Sequence, residues 1–323
     1  MKFYIAKEHK GHSQIELLTG VHGMYQNPIK DSLIKTVDTI EKSDAVLVPH
    51  DAYYFSEYPE YLEYLNEIAK FKLIVFSDRG DFPKKPRIKN SFALRTSINP
   101  GESGVRKILV PYNVKTLEDI PIRAWIERPT ISFVGFLPNI SIGRVFKTFQ
   151  NAPINPILGN GALVRRISNN RFKKLNLDYI SLPRSAYGAI LNSSQNQSKE
   201  REEYLDSIVR SDLVLAPRGD ANQSARFYET LSAGRIPLIP DTRVRFPGVD
   251  LDWTFVLKFP LFGCHLEQQI LFYWNCMSKD SYIEKQQEIR RMFLEHLEYN
   301  IFMEKLFNLS LGQFKECGFS NKG

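Results

Sequence analysis

The chain has 323 residues, a length typical of about two domains. It contains 43 Lys and Arg against 36 Asp and Glu, a formal net charge of +7, and 43% of its residues are hydrophobic. Together with a mean hydropathy of −0.30, this composition excludes a disordered or collagen-like chain and predicts a soluble protein with a substantial core.

Neither disulfides nor membrane spans are expected. The cysteines Cys264, Cys276 and Cys317 are too few and too dispersed for a disulfide framework, which favours a reducing compartment. The longest uncharged stretch, residues 148–164, contains two prolines and two glycines, so it cannot supply the roughly 20 apolar residues of a spanning helix. We therefore expect a cytoplasmic protein without a transmembrane segment. Its surplus positive charge would serve nucleic acid, an anionic membrane surface or an anionic substrate.

Short apolar runs alternate with a helical pattern in the first part of the chain. β-Branched runs predict strands at residues 2–6, 45–49, 72–76 and 107–111, and the spacing within residues 57–70 predicts a helix. This alternation is typical of a parallel sheet with crossover helices.

A second series of the same kind follows a polar connection at residues 112–129. Its strands are predicted at residues 131–136, 212–216, 235–239 and 253–257. The fold class is therefore α/β, with two Rossmann-like units joined by the polar connection.

The chain divides into three segments on these patterns. We assign residues 1–120 to an N-terminal Rossmann-like domain, residues 121–280 to a second Rossmann-like domain, and residues 281–323 to a C-terminal helical segment. Within the last segment, residues 281–309 contain no Pro or Gly and have one apolar helical stripe. They predict one long helix that packs on one domain or across both.

The most informative segment is residues 204–241, which predicts a helix, a buried strand, a Pro-Arg-Gly loop, a second helix and another strand. Ligands of open α/β sheets bind where strands end, and this loop leads into a helix N-terminus, which favours an anion. Arg218 lies in the loop, and Arg226 lies about one turn inside the helix. A cation there opposes the helix dipole by about 0.3–1 kcal/mol, and a bound phosphate explains its placement.

Glu229 follows Arg226 by three residues, so both side chains leave the helix on the same side. The carboxylate could accept hydrogen bonds from a ribose diol. The alternative is a solvated ion pair between the two side chains, which would contribute a few tenths of a kcal/mol. The spacing alone leaves both interpretations open.

These residues resemble the donor domain of the exostosin-like glycosyltransferases, glycosyltransferase family 47. The resemblance rests on SDLVLAPRG at residues 211–219, SARFYETL at 224–231, GRIPLI at 234–239 and LDW at 251–253. It is looser in the first part of the chain, where AVLVPHDAY and LIVFSDRGD are similar to strand-and-loop segments of those enzymes.

The resemblance implies a GT-B architecture, in which two Rossmann-like domains face a central cleft and the second binds a nucleotide sugar. It implies that Arg218 and Arg226 lie near the donor diphosphate, with Gly219 and Ser224 in the same motif, and that Glu229 lies on the nucleotide ribose. Since arginines and a helix dipole neutralise the leaving diphosphate in this class, no metal or further cofactor is expected.

The segment GRVF at residues 143–146 also resembles the family's arginine-headed helix, which implies that Arg144 is a further diphosphate ligand. Many members of the family have a membrane anchor and luminal disulfides, and this chain shows neither pattern. The resemblance is therefore to a cytoplasmic, bacterial or viral type of the family.

The implied function is an inverting sugar transfer in polysaccharide biosynthesis. The expected donor is a UDP-sugar, and the expected acceptor is a glycan or a polyol phosphate. A retaining GT-B glycosyltransferase and a non-catalytic module that binds glycan or nucleic acid are the alternatives. The arginine and glutamate set makes nucleic acid unnecessary as a partner, whereas peripheral contact with the inner face of an anionic membrane stays open.

The acceptor hydroxyl needs a base, which we expect from loops of the N-terminal domain. The candidates follow predicted strands and are His50, Asp51, Asp78 and Asp81, with Asp78 preferred. Each could equally be a turn-forming or capping residue, since Asp is frequent in turns.

Other motifs are weaker. The Asp250-Leu251-Asp252 sequence has the form of a DxD metal motif, but its place before Trp253 favours a loop or capping role. Residues 159–161 read GNG without the third glycine of a dinucleotide fingerprint, which favours a loop. The close spacing of His9 and His12 predicts no zinc site, because further ligands are missing.

Two basic clusters predict either solvated loops or a surface for a phosphate-bearing acceptor or an anionic membrane. The first cluster consists of Lys84, Lys85, Arg87 and Lys89. The second cluster consists of Arg165, Arg166, Arg171, Lys173 and Lys174.

Overall fold

The structure is a computed structural model of the chain. The residues that it describes are 1–6, 34–52, 58–78, 88–99, 106–137, 156–184, 194–219, 221–248 and 250–317, without the side chains of residues 49–51, 156 and 194–198.

The chain forms two compact units. Unit 1 consists of Met1–Asn113, Arg245–Asp250 and His296–Gly323, and unit 2 consists of Val114–Val244 and Leu251–Glu295. The C-terminal helices are therefore divided between the units, and the short segment Arg245–Asp250, which precedes the last strand of unit 2, belongs to unit 1.

Within the described residues, unit 1 has a parallel sheet of five strands in the order β1-β2-β3-β4-β5. The strands are β1 (Phe3–Ile5), β2 (Ala45–Asp51), β3 (Leu73–Ser77), β4 (Ser91–Arg95) and β5 (Arg106–Leu109). All but β4 lie where apolar runs predict strands. The SFALR sequence of β4 begins and ends with polar residues, which hides it from an apolar pattern.

The described part of unit 2 has a second five-stranded parallel sheet, in the order β10-β9-β8-β6-β7. Its strands are β6 (Thr130–Phe136), β7 (Asp178–Arg184), β8 (Leu213–Leu215), β9 (Ile236–Pro240) and β10 (Leu257–Phe259). The chain runs outward from β6 to β7 and then returns to the other side of β6 with β8. The strand order thus switches between β6 and β8, the place where ligands of such sheets bind.

The helices of the described residues are mostly short. They are α1 (Pro59–Ala69), α2 (Pro156–Gly159), α3 (Gly161–Phe172), α4 (Ser194–Val209), α5 (Ala225–Ser232), α6 (Leu266–Asn275), α7 (Lys279–Met292), α8 (Tyr299–Asn308) and α9 (Leu311–Glu316). The predicted α/β class with two Rossmann-like units is confirmed by the two parallel sheets and their crossover helices.

The sheet of unit 1 is covered on both faces. Leu73 and Val75 of β3 pack in a cluster with residues of α8, whereas Ile74 and Phe76 pack in a second cluster with residues of α1. Successive side chains of a strand point to opposite faces, so burial on both faces explains why β3 reads as an unbroken apolar run.

The strand predicted at residues 253–257 is wrong. Residues 254–256 form a turn, and β10 begins only at Leu257. The Asp252 carboxylate accepts hydrogen bonds from the Thr254 N–H at 2.9 Å and from its hydroxyl at 2.8 Å. These hydrogen bonds lower the pKa of Asp252 and bend the chain before it can extend. They also support the loop role expected for Asp252.

The single long helix predicted for residues 281–309 is also wrong. Helix α7 continues into a π-helical turn, Phe293–Leu297, and a new helix, α8, begins after Glu298. Glu298 has ψ of 131°, and its carboxylate accepts a hydrogen bond from the N–H of Ile301 at 2.9 Å. Glu298 thus acts as an N-cap. Glutamate is not a usual cap, so the helical period of the sequence does not reveal this break.

A buried carboxylate joins the amino ends of the unit 2 strands. Asp212, fully buried before β8, accepts hydrogen bonds from the Thr130 N–H at 2.8 Å, the Arg123 Nε–H at 2.7 Å and the Tyr282 hydroxyl at 2.8 Å. Burial, followed by the charge of Asp212, raises the pKa of Tyr282. Tyr282 therefore stays protonated as a donor, and one side chain connects β6, β8, α7 and the segment before β6.

Arg235, at the start of β9, extends this network. It is fully buried and donates to Gln286 Oε1 at 2.8 Å and to the carbonyl oxygens of Pro121 at 2.8 Å and Ile208 at 3.1 Å. Burial lowers the pKa of Arg235 to about 10, which still leaves it charged at neutral pH. The amino ends of three neighbouring strands are thus held by buried hydrogen bonds.

We predict that Asp212→Asn destabilises unit 2 by about 3 kcal/mol, because the substitution leaves the Arg123 guanidinium without its buried counter-charge. Urea unfolding followed by tryptophan fluorescence tests this, since all three tryptophans lie in unit 2. The matched control is Asp206→Asn, which breaks an exposed pair with Arg210 and should change stability by less than about 1 kcal/mol. Equal unfolding midpoints for the two variants would contradict the prediction.

Candidate functional site

The loops after β6 and β8 are joined at the switch point of unit 2. Arg165 of α3 donates from Nε to the carbonyl oxygen of Arg218 at 2.9 Å and from Nη1 to that of Phe136 at 3.2 Å. Arg165 is only 7% exposed, so its expected place in a solvated basic loop is wrong. One guanidinium therefore holds the carboxyl ends of two strands at a fixed spacing.

Arg218 lies in the loop after β8, as the sequence predicts, and is buried. Its Nη1 donates to the carbonyl oxygen of Leu158 at 3.0 Å and to Asn222 Oδ1 at 3.1 Å, and its Nε donates to the carbonyl oxygen of Gly219 at 3.3 Å. These hydrogen bonds give the loop its shape. A contact between Arg218 and a ligand stays a prediction.

Two glycines allow this loop and the start of α3 to approach closely. A Cβ on Gly161 would lie 2.0 Å from the carbonyl oxygen of Gly219, and a Cβ on Gly219 would lie 2.9 Å from Nη2 of Arg165. Asn160 caps α3 by accepting the Leu163 N–H at 3.0 Å. The GNG sequence at 159–161 therefore starts a helix instead of forming the expected loop.

Ser224 occupies the N-cap position of α5 with an extended backbone, but its side chain does not cap the helix. Its hydroxyl has no hydrogen-bond partner among the described residues, and neither has the side-chain nitrogen of the neighbouring Gln223. The oxygen of that amide accepts the Tyr228 hydroxyl at 2.9 Å. An N-cap serine commonly satisfies an N–H of the first turn, so the N-terminus of α5 lacks that acceptor.

Arg226 lies in the first turn of α5 and is held against the end of β6. Nη2 donates to the carbonyl oxygen of Val134, and the guanidinium carbon lies 5.1 Å from the ring centre of Phe133 and 5.8 Å from that of Tyr204. Gly135, with φ of 153°, makes room, since a Cβ there would overlap the guanidinium. Within the described part of the chain Arg226 forms no ion pair, so its positive charge is not neutralised by a carboxylate.

Glu229, by contrast, has an arginine and a tyrosine as hydrogen-bond donors. It is 4% exposed, and its carboxylate accepts hydrogen bonds from Arg201 Nη1 at 2.6 Å and from the Tyr204 hydroxyl at 2.7 Å. Its ion-pair partner is therefore Arg201 and not Arg226. Neither Arg201 nor Tyr204 is predicted as a site residue. Their three-residue spacing on α4 is a visible signal, but only the packing of α4 on α5 relates it to Glu229.

The hydroxyl of Tyr204 is a stable donor in this arrangement. Burial, and then the charge of Glu229, raise the pKa of Tyr204 well above its usual value. Arg201 also packs on the Tyr204 ring, with its guanidinium carbon 5.2 Å from the ring centre. Two arginines and one glutamate thus surround one tyrosine, and the formal charge of this cluster is positive.

Unit 1 has buried charges at the corresponding edge of its own sheet. Asp78 follows β3, as predicted, and its Oδ2 lies 3.5 Å from Nε of Arg95, the last residue of β4. Lys107 of β5 is buried as well. Burial is the first cause that lowers the pKa of Lys107 to about 8; Arg95 adds to this, Asp78 opposes it, and Arg245 lowers it further.

Several predicted residues cannot be placed. Those that lie outside the described residues are His9, His12, Asp81, Lys84, Lys85, Arg87 and Arg144. His50 and Asp51 belong to β2, but their side chains are not described. Among the residues that are described, no group of three or more His, Cys, Asp or Glu side chains could hold a metal ion. No helix among them is long and apolar enough to cross a membrane.

Part of the chain matches a known family. Residues 185–248 match the family described as the RXYLT1 C-terminal domain, which is an exostosin-like glycosyltransferase family. The match covers about one fifth of the chain and includes the loop after β8 and helix α5. It supports the exostosin-like resemblance for this segment, and a glycosyltransferase as the class of protein. No curated protein matches the chain.

Two solved structures are similar over more of the chain. The crystal structure of TarM has a TM-score of 0.37 and 13% identity over 77% of this chain. The crystal structure of the GtfA/B complex has a TM-score of 0.34 and 11% identity over 84% of this chain. The chain spans 57% of the length of each. Similarity at this level says nothing about activity, substrate or partners.

We predict that unit 1 gains stability as the pH rises from 8 towards 10. The folded pKa of Lys107 is about 8, below the unfolded value near 10.4, so the folded state disfavours the charged amine. That destabilisation is fully present below pH 8 and fades as the pH approaches the pKa of the unfolded chain. The free energy of unfolding should therefore rise by on the order of 2 kcal/mol. Urea unfolding followed by circular dichroism from pH 7 to pH 10 measures it.

In that experiment, Lys107→Met should lack the gain with pH, because it has no titrating amine at this position. Lys42→Met removes an exposed lysine and should keep the gain. The same pH dependence in both variants would exclude Lys107 as its source.

Proposed function

We propose that the chain is an inverting glycosyltransferase that takes its sugar from a nucleotide-diphosphate donor held by unit 2. The observation that carries the proposal is Arg226, a cation at the N-terminal turn of α5 without a carboxylate partner in the described structure. A positive side chain at this end of a helix is disfavoured by the helix dipole. A diphosphate would reverse that cost, because it would interact with the guanidinium and the helix N-terminus together.

The position of the site agrees with this assignment. Arg226 reaches the carboxyl end of β6, and the loop of Arg218 and Gly219 continues β8, so both lie at the switch point of the sheet. Phosphates and nucleotides bind at such points in open α/β sheets. The segment that matches the RXYLT1 C-terminal domain carries the same loop and helix.

Glu229 is suited to the nucleotide ribose in this proposal. Each oxygen of its carboxylate accepts one hydrogen bond in the described structure, from Arg201 or from Tyr204. A carboxylate oxygen has a second lone pair, which would accept a ribose hydroxyl. Arg201 and Tyr204 would then hold the carboxylate in place.

The chemistry proposed for the site follows from the charge that develops on the leaving diphosphate. Arg226 and the N–H groups of α5 would stabilise that charge, and a preorganised arrangement of this kind is usually the largest contribution to catalysis. The acceptor hydroxyl would give its proton to a base from unit 1, with Asp78 as the candidate. UDP-sugar as donor and a glycan or polyol phosphate as acceptor complete the proposal.

The test is binding of a nucleotide diphosphate by isothermal titration calorimetry, after a thermal-shift screen of UDP, GDP and CMP selects the probe. Arg226→Met keeps the aliphatic stem that packs on the rings but removes the charge. It should weaken the Kd about 10- to 100-fold, since a hydrogen bond to a charged group contributes about 1.5–3 kcal/mol.

Arg210→Met is the matched control, because Arg210 is an exposed arginine paired with Asp206 at the end of α4. It should bind the probe like the wild type. If no nucleotide binds the wild type, or if the two methionine variants bind equally, the proposed donor site is wrong.

A further inference from the structure

A loop and a turn of unit 2 form a small exposed surface. Residues 260–265 connect β10 to α6, and residues 173–177 connect α3 to β7. The N–H of Asn176 donates to Glu267 Oε2 at 2.8 Å, which brings the turn beside the start of α6. We call the exposed side chains Phe262, His265, Lys173 and Lys174, together with Arg171, the Phe262 surface.

Phe262 is 57% exposed although apolar residues just before it are buried. Phe259 and Leu261 are 2% and 3% exposed, and the Phe259 ring packs edge-on against Phe172 at 5.3 Å. Phe262 therefore lies outside a well-anchored loop, and its exposure does not come from loose packing of the chain around it.

Arg171 fixes this loop from the end of α3. Its Nη1 donates to the carbonyl oxygen of Pro260 and its Nη2 to that of Gly263 at 2.8 Å, so the guanidinium brackets Phe262. Gly263 has φ of 126° and no atom within 4 Å of the place of a Cβ. A glycine is thus needed at this position for the backbone conformation, and not because a side chain would lack space. The hydrogen bonds of Arg171 and the conformation of Gly263 thus keep the Phe262 ring exposed to solvent.

The charge around Phe262 is positive. Lys173 and Lys174 are exposed, and neither forms an ion pair among the described residues. The nearest acidic residue of α6 is Glu267, which is occupied by the Asn176 N–H and lies 3.9 Å from Arg128. An exposed ring bordered by arginine and lysines is typical of surfaces that insert into the boundary of an anionic bilayer.

Helix α6 carries a second exposed ring. Phe272 is 75% exposed and follows His265 by seven residues, about two helical turns, so both lie on the same face of the helix. Lysine is depleted in the core of protein interfaces, and a nucleic acid would need a longer basic track. An isolated exposed ring with neighbouring cations matches a lipid surface, which accepts scattered insertions.

We propose that the Phe262 surface docks unit 2 on anionic lipid, with Phe262 entering the headgroup boundary and Lys173 and Lys174 contacting lipid phosphates. This goes beyond the proposed donor site and does not depend on it. Of the second basic cluster predicted from the sequence, Arg171, Lys173 and Lys174 take part. Arg165 does not, because it is buried against the loop after β8.

Flotation with vesicles of phosphatidylcholine alone, or with 30% phosphatidylglycerol, tests the proposal at about 50 and 300 mM NaCl. We expect the wild type to float only with the anionic vesicles and to lose binding at the higher salt, because the attraction is screened. Phe262→Ser and the double variant Lys173→Glu/Lys174→Glu should each lower the partition coefficient at least tenfold, with unchanged circular dichroism.

Two variants serve as matched controls. Phe71→Ser removes a ring that is 65% exposed, but whose flanking Lys70 and Lys72 are engaged by Glu67 and by carbonyl oxygens. Lys42→Glu/Lys315→Glu makes the same change of net charge at exposed positions of unit 1. Both should float like the wild type.

Three results would overturn the proposal. They are no binding of the wild type to anionic vesicles at low salt, equal binding of the Phe262→Ser and Phe71→Ser variants, or equal binding of the two charge-reversed double variants. As a measurement that does not depend on affinity, Phe262→Trp should be quenched by brominated lipid in anionic vesicles, whereas Phe71→Trp should not. Equal quenching of the two tryptophans would also contradict the assignment.

Discussion

The structure of unit 2 depends on one buried carboxylate. Asp212 binds the backbone of Thr130, the guanidinium of Arg123 and the hydroxyl of Tyr282, while its own N–H and carbonyl link β6 to β8 and β8 to β9. A buried carboxylate is tolerated only when it is paired and hydrogen-bonded, and here every partner belongs to a different segment. The amino ends of the strands therefore have one arrangement, which sets where their carboxyl ends lie.

At those carboxyl ends, arginine side chains form the hydrogen bonds that hold the strand ends and loops. Arg165, Arg218 and Arg226 donate to carbonyl oxygens of strand ends and loops, and Arg226 forms no ion pair with any residue that the structure describes. A carboxylate neutralises Arg123 at one edge of the sheet, whereas a carbonyl oxygen orients Arg226 at the other. At this edge the guanidinium of Arg226 could bind an anion. This is the physical basis of the donor site that we propose.

The sequence predicts the strands that are continuous apolar runs and fails where other physical causes decide. It misses β4, which carries the buried Arg95, and β7, which contains Pro183. It joins α7 to α8 because Glu298, a rare cap, does not interrupt the helical period. In the candidate site, Arg218, Arg226 and Glu229 are found from local motifs. Arg201 and Tyr204 are missed because their contact with Glu229 spans more than 20 residues and exists only in the packed unit.

We propose that a nucleotide diphosphate binds at the switch point of unit 2. Amide hydrogen exchange of the wild type with and without saturating UDP measures this directly. We expect slower exchange in residues 134–137 and 218–230, where strand ends and the α5 N-terminus would contact the ligand, with little change in the sheet of unit 1. Nucleotide binding that leaves exchange in those two segments unchanged would contradict it.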